Sequence, residues 1–499
     1  MAHLELKFDA PPIVSTRLAE EYILAYNDEF KNVTHTAPEV LRFDLIPPEL
    51  DIILAKRKLA KSIEKNAELF CQLEYMLRNR TIEEVKNIDL KLIENTLLDS
   101  AEPRVCTNNH VLNMGDDTPL AFLGFFSYAY PHFHVYCTEI TVPVCFLFKQ
   151  LCADVGLKVD IVRSGSPLKS DFNTFCTGII TEKSDIDSAA DAFLVSTSQK
   201  PWRLQRILVQ ENVYQTFKKC IEYKSKLKEQ ENVQVSEDVK KLSSELYVYK
   251  DKVFIFDFVG DKAVVDSGSH NIYVEAYRTT KEVLTLIQNA ILLSLWSNDI
   301  SEAHEIALQA PSVLVWVNDF GNMNGPPMTA RWLYKQANIL DLSINQSEIK
   351  KRLNSWTRFD GSKQRINIMW KALEKYKNEQ DSDNEIVTLV EKILMSFRED
   401  KFFEIDNGRM YMTLGLPVGI IPIAINYLDD VQKMIKSLLI GNGHIVSINE
   451  NFPQVKLLIE VLEDSGAPVT INTIGDQVQG SSYIKYKTII SEFGTIFAN

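Results

Sequence analysis

No run of 18 or more consecutive apolar residues occurs in this 499-residue chain, so no segment reads as a helix long enough to span a bilayer. The opening residues, MAHLELKFDA, lack the basic stretch and apolar core of a secretory leader. Positive charge is short as well: 54 Lys and Arg stand against 67 Asp and Glu, a net charge of −13. That balance argues against a general nucleic-acid binder and against a protein held on anionic membranes. The seven cysteines (Cys71, Cys106, Cys137, Cys145, Cys152, Cys176 and Cys220) are odd in number and form no CxxC pair. Free thiols in a reducing compartment fit this better than a disulfide framework. The expectation is an acidic cytoplasmic protein with no membrane and no nucleic-acid partner.

What is present suffices for large cores: 45% of residues are hydrophobic and 24% charged, close to the globular average. The length predicts two or three domains. Residues 1–50 read as an irregular N-terminal segment, broken by Pro11-Pro12 and Pro47-Pro48. Ala55, Leu59, Ile63, Ala67, Phe70 and Leu73 recur at helical spacing, predicting amphipathic helices from Ile52 to about Leu98. Over 119–162 the pattern predicts strand, helix, strand, the alternation of a parallel sheet with crossover helices. These make a first region, 51–165. A second, 166–335, begins with a helix over 182–196 capped at Ser184-Asp185 and a strand over 205–209. Its charged stretch from Lys224 to Lys252 is expected to be a solvated helix and loop. The third, 340–499, shows amphipathic helices over 347–376 and 384–398, then strand–helix–strand–helix–strand from LGLPVGIIPIAINYL to VTINTI.

The first and third regions parallel each other. Pro119-Leu120-Ala121-Phe122-Leu123-Gly124 matches Pro417-Val418-Gly419-Ile420-Ile421, and HFHVYCTEITVP, ending at Pro143, matches GHIVSINENFP, ending at Pro453. Such self-similarity signals duplicated units. Between them, residues 292–318, LLSLWSNDISEAHEIALQAPSVLVWVN, read as a strand, an amphipathic helix and a very apolar strand ending in Val317-Asn318. Together these blocks resemble the aldehyde dehydrogenase superfamily. Pro417-Val418-Gly419, Gly441-Asn442, Glu450 and Pro453 are similar to the cofactor-half pattern, and 292–318 to the catalytic half. The order of blocks is most similar to the family 16 members, which carry one full module and a second, incomplete one. The resemblance implies an α/β fold of parallel Rossmann-like sheets with helices on both faces. It casts 51–165 as a truncated cofactor-binding-like domain, 166–335 as a catalytic-like domain and 340–499 as a second, incomplete cofactor-binding-like repeat.

The chemistry of that family needs a thiolate nucleophile, a carboxylate base, amide donors for the oxyanion and a nicotinamide cofactor. The nucleophile block aligns with Ser198-Gln199-Lys200-Pro201-Trp202-Arg203, in a register supported by Ser184-Asp185 upstream and Val209-Gln210 downstream. The cysteine position falls on Pro201, which has neither a nucleophile nor a backbone N–H. The base motif would precede Ile179-Ile180, where Asp171 alone imitates the carboxylate and Cys176 replaces a serine. The lysine that meets the adenine ribose aligns with Cys137 in the first copy and Ser447 in the second. The acid of the nicotinamide-ribose block is imitated only by Asp266 in Asp266-Ser267-Gly268-Ser269-His270. Between Val162 and Asp171 the phosphate-facing strand and helix are missing, so tight NAD binding is not expected.

The segment HFHVYC looks superficially like metal ligands. On a strand His132 and His134 share a face and Cys137 points away, and the sequence shows no second cluster to complete a tetrahedral set, so no metal is expected. Glu302-Ala303-His304-Glu305 reads as the polar face of a helix, and Trp296 and Trp316 as core. The favoured class is therefore a non-catalytic aldehyde-dehydrogenase-like protein without cofactor that acts by assembly. The resemblance implies a homodimer, or pairing with an active homologue, because the strand near Val313–Val317 lies close to the family's oligomerisation sheet. The competing class is an NAD(P)-dependent oxidoreductase acting on aldehydes with relocated groups, Cys176 and Asp171. A third is metabolite binding without chemistry.

Overall fold

The computed structural model describes residues 15–33, 51–98, 111–164, 175–196, 202–227, 235–258, 271–321, 347–357, 362–379, 382–399, 401–448, 452–471 and 484–492, apart from single positions 117, 236, 251, 289 and 407. In chain order the strands are β1 (Val111–Met114), β2 (His132–Cys137), β3 (Lys158–Arg163), β4 (Cys176–Ile180), β5 (Leu204–Gln210), β6 (Glu245–Tyr249), β7 (Lys252–Phe256), β8 (Asn271–Tyr277), β9 (Leu292–Trp296), β10 (Leu314–Val317), β11 (Lys401–Asp406), β12 (Arg409–Pro417), β13 (Ile420–Ile425), β14 (Gly443–Ile448), β15 (Val469–Ile471) and β16 (Ile484–Glu492). They form two small parallel sheets, β1-β2-β3 and β13-β14-β15, and one ten-stranded sheet in the order β11-β12-β16-β10-β9-β4-β5-β8-β7-β6. The fold is α/β, as the alternation of elements predicts.

The large sheet is covered on both faces. The helices Ile186–Leu194 and Glu211–Lys226 bring Ala189, Phe193 and Phe217 against Cys176, Ile180, Ile207 and Trp296. On the other side Val283, Ala303, Ile306 and Ala307, from the helices Thr280–Leu286 and Ile300–Gln309, meet Ile179, Leu208, Leu293 and Leu295. Burial on both faces explains why β4, β9 and β10 read as continuous apolar runs rather than alternating ones. Gly178 marks a close approach: a Cβ there would come within 2.6 Å of the buried Phe193 ring.

Residues 292–318 fold as their pattern predicts. Asp299 caps the helix Ile300–Gln309, its Oδ1 accepting the N–H groups of Ser301 at 3.0 Å and Glu302 at 3.1 Å. Buried Ala303, Ile306 and Ala307 hold the helix on the sheet. Asn318 takes a left-handed φ of 56°, which asparagine tolerates. Its Oδ1 accepts from Ser297 N–H and its Nδ2 donates to the Ser297 carbonyl, both at 2.9 Å, clamping the ends of β9 and β10 together.

Both flanking units run strand–helix–strand–helix–strand: β1, Ala121–Ala129, β2, Val142–Ala153, β3; and β13, Leu428–Ile440, β14, Pro453–Asp464, β15. The internal repeat is therefore present in the fold, with one correction. Pro119–Gly124 does not lead into a strand like the Pro417 segment; Ala121–Ala129 is a helix, and β1 lies upstream of it. A fully buried helix and a buried strand give the same short apolar run, so periodicity could not separate them.

Three further expectations change. The N-terminal segment is not irregular throughout: Arg17–Ala25 and Asn27–Lys31 are helices, and Gln72 Oε1 accepts the N–H of Leu18 at 2.9 Å and of Ala19 at 3.3 Å. The charged stretch after Lys224 ends in the antiparallel hairpin β6–β7, with Lys250 at a φ of 52° in its turn and all of β7 buried. The part of the chain beyond 340 feeds two sheets: β13–β15 form their own, whereas β11, β12 and β16 extend the large sheet by pairing β16 with β10.

Candidate functional site

The residues aligned in the sequence with the family's base and nucleophile lie on either side of β4 in the chain. This strand lies between β5 and β9, hydrogen-bonded to both in parallel. The N–H of Cys176 donates to the Arg203 carbonyl at 2.9 Å, which lays the start of β5 alongside the thiol. Trp202, next in sequence to Pro201, is 1% exposed and lies tilted against Phe122, centroids 6.2 Å apart. The segment that aligns with the family's nucleophile thus runs directly into packed aromatic core. Pro201 itself, Asp171 and Asp266 lie outside the described residues.

Cys176 is the thiol that a mechanism with relocated groups would use. It is wholly buried, and its Sγ makes a weak contact, 3.9 Å, with the Thr177 carbonyl. Burial pushes the thiol well above its ordinary range; a backbone hydrogen bond from Ser294 opposes this only in part. A nucleophilic cysteine needs the opposite setting: partial exposure and a nearby positive charge or helix N-terminus. Cys176 packs as a small apolar residue.

The two cofactor-position residues are also embedded in strands. Cys137 closes β2, fully buried, its thiol raised by burial first and by neighbouring Cys145 second. Ser447 is the penultimate residue of β14 and half-buried. One ends its strand and the other does not, so the aligned pair does not hold the same place in the two units. Gly441-Asn442, one of the matching pairs in the second copy, has a structural job: Asn442 Oδ1 accepts the N–H of Val418 at 2.6 Å and of Gly419 at 2.9 Å. Gly441 ends the helix Leu428–Ile440 at a φ of 118°.

A grouping that the sequence did not suggest appears in the first unit. His132 and His134 share a face of β2, as predicted, and the β3 register sets Asp160 directly beside His134. His132 Nε2 is 2.7 Å from Asp160 Oδ2 and His134 Nδ1 is 3.7 Å from it. The signal that could have found Asp160 is the polar residue in VDIV, but its partner strand and register are set only by tertiary pairing.

No family model matches the chain, and no curated protein matches it. Among solved structures it is similar to betaine aldehyde dehydrogenase from Staphylococcus aureus in complex with NAD+, at 17% identity and a TM-score of 0.43, over 60% of this chain and 80% of that one. A point mutant of the same enzyme with NAD+ gives 17% identity and a TM-score of 0.42, over 60% and 82%. An apo point mutant gives 16% and 0.42, over 61% and 81%. A likeness this distant carries no information about chemistry.

Proposed function

We propose that this chain is a non-catalytic, aldehyde-dehydrogenase-like protein that acts by assembly, with a second copy of itself or with an active homologue, rather than by oxidising aldehydes. The observation that carries this reading is the condition of Cys176: the thiol that a relocated mechanism would use is sealed inside a central strand, and burial raises its pKa. The aligned nucleophile position is a proline in the sequence, and the residue after it is core. Without a thiolate, the thiohemiacetal on which the family's hydride transfer depends has no route of formation.

Assembly is supported at one end of the large sheet. The strand β10, near which the resemblance placed the oligomerisation contact, is flanked on both sides by strands of its own chain. At that end the outermost strand among the described residues is β11, where Phe403 and Ile405 are 60% and 68% exposed. An exposed edge with apolar side chains is a template for strand addition by a partner.

The test pairs NAD+ and NADP+ titration, followed by intrinsic tryptophan fluorescence, with aldehyde turnover by the full chain. Neither saturable binding nor turnover is expected. Turnover that disappears in Cys176→Ala would overturn this reading in favour of an oxidoreductase with relocated groups.

A further inference from the structure

The pair of histidines on β2 poses an energetic problem that a plain hydrogen-bonded pair does not resolve. His134 is 3% exposed, and neither of its ring nitrogens has a hydrogen-bond partner. His132, 8% exposed, spends Nε2 on Asp160 and leaves Nδ1 buried and unpartnered. A buried polar atom without a partner costs on the order of 1–3 kcal/mol, so three in one small cluster are expensive, and an ion held by one nitrogen of each ring would relieve part of that cost. The rings lie close together, with centroids 5.1 Å apart. One ligand atom from each of His132, His134 and Asp160 can be chosen so that all lie within 4.8 Å of one another. Ligands at about 2.0–2.2 Å from a common ion, the range for zinc with nitrogen and oxygen donors, stand about 3.3–3.6 Å apart in a tetrahedral site, so the side chains must rotate inward by about 1 Å to close the set.

We propose that His132, His134 and Asp160 form a binding site for one divalent d-block cation of the zinc class, which fastens β2 to β3. The chemistry of the donors fits. Two neutral imidazoles and one carboxylate give a net charge of −1, suited to a 2+ ion, and nitrogen-rich sets favour zinc, cobalt, nickel or iron over magnesium or calcium. Burial lowers the proton affinity of His134, the direction that favours ligation. Asp160, with a side chain 36% exposed, gives the ion a path in and leaves room for a water as fourth ligand. Lys158, on the same strand as Asp160, is a neighbouring cation that acts against the site. His132 is the first residue of β2, so the site lies away from the carboxyl ends of the strands, where open α/β sheets bind their cofactors. Its role is a cross-strand staple, independent of any aldehyde chemistry.

The experiment uses the full chain stripped with EDTA. Titration with Co2+ should raise the visible d–d absorption of a nitrogen-coordinated site, and dialysis against Zn2+ followed by elemental analysis should leave one ion per chain. Zn2+ should also raise the melting temperature, as any ligand specific to the folded state does. Two variants test the assignment. His134→Phe replaces the orphaned ring by an apolar one and should melt, in EDTA, no lower than the parent; Asp160→Asn keeps shape and removes charge. Each should weaken Co2+ binding at least about 100-fold, beyond the 10–100-fold typical of outer-shell changes, and abolish the Zn2+-dependent shift. His304→Gln, a half-buried histidine elsewhere, should bind like the parent. Absence of a stoichiometric site in the parent, or binding that survives in either folded variant, overturns the proposal. If His134→Phe fails to fold, Asp160→Asn alone decides it.

Discussion

The units β1–β3 and β13–β15 share one connectivity and stabilise it by different means. In the first, the crossover helix Ala121–Ala129 has no cap of its own; its first N–H is taken at 2.9 Å by Asp89, 32 residues upstream. Asp89 is fully buried and pairs at 2.5 Å with Arg80, which also meets Glu74 at 3.2 Å. In the second, the helix Leu428–Ile440 is capped from within: Asp430 Oδ2 accepts the N–H of Asn426 at 3.1 Å and of Tyr427 at 3.2 Å. One unit ties its helix to a buried charge cluster, the other to a local turn. The lesson is that a duplicated topology fixes where strands and helices go but leaves each copy free to find its own polar partners.

The sharpest test of that contrast is a matched pair of substitutions. Asp89→Ala leaves Arg80 buried without a main partner and should cost about 3–5 kcal/mol. Asp430→Ala removes a solvent-side cap and should cost about 1 kcal/mol. Urea denaturation of both variants measures this, and equal losses would erase the distinction.

Acid offers a second test, in the second unit. There His444 is fully buried with Nδ1 3.1 Å from the Ile421 carbonyl, and burial pushes its pKa down to about 4. A histidine held neutral by the fold contributes stability that is complete above its unfolded pKa of about 6.5 and is lost as pH falls from there towards 4. About 3 kcal/mol is at stake over that window. Melting temperature against pH should therefore fall more gently in His444→Leu than in the parent between pH 6.5 and 4; parallel curves would show that His444 does not titrate with unfolding.

Thiol reactivity gives a smaller signal. Cys220, half-buried on the helix Glu211–Lys226 and raised to about 11, should react with a thiol reagent in the native protein well before Cys176, which needs unfolding to be reached. Mass spectrometry of partially labelled protein shows the order. Early labelling of Cys176 would reopen it as a nucleophile.

How much of this was legible beforehand depended on the range of the interactions. The strand–helix–strand of 292–318 was readable because its cap, Asp299, and its apolar spacing are local. The helix Ala121–Ala129 was not, because its apolar surface is buried all round and its N-terminus is served by a residue 32 positions away. The hairpin β6–β7 hid behind a charged stretch, since Lys218 reaches Glu245 and Asp257 across space rather than along the chain. Likewise, His132 and His134 announced themselves by alternation, whereas Asp160 joined them only through the β2–β3 register.

The two ends of the ten-stranded sheet differ as much as the two units do, and they permit a test with little cost to stability. At one end β6 is half-buried; Leu246 and Val248 pack on Val253 and Ile255, and Lys218 pairs with Glu245 at 3.6 Å. At the other, β11 turns Phe403 and Ile405 to solvent among charged neighbours. An edge protected by packing and charge resists strand addition, and one offering apolar side chains invites it. Phe403→Glu with Ile405→Lys should change folding stability by no more than about 0.5 kcal/mol, as for most exposed positions, while shifting sedimentation of the full chain from dimer towards monomer. The same double change at Leu246 and Val248 should destabilise the hairpin and leave association untouched. A parent protein that sediments as a monomer at micromolar concentration, or a dimer indifferent to the β11 substitutions, would remove β11 as the assembly surface.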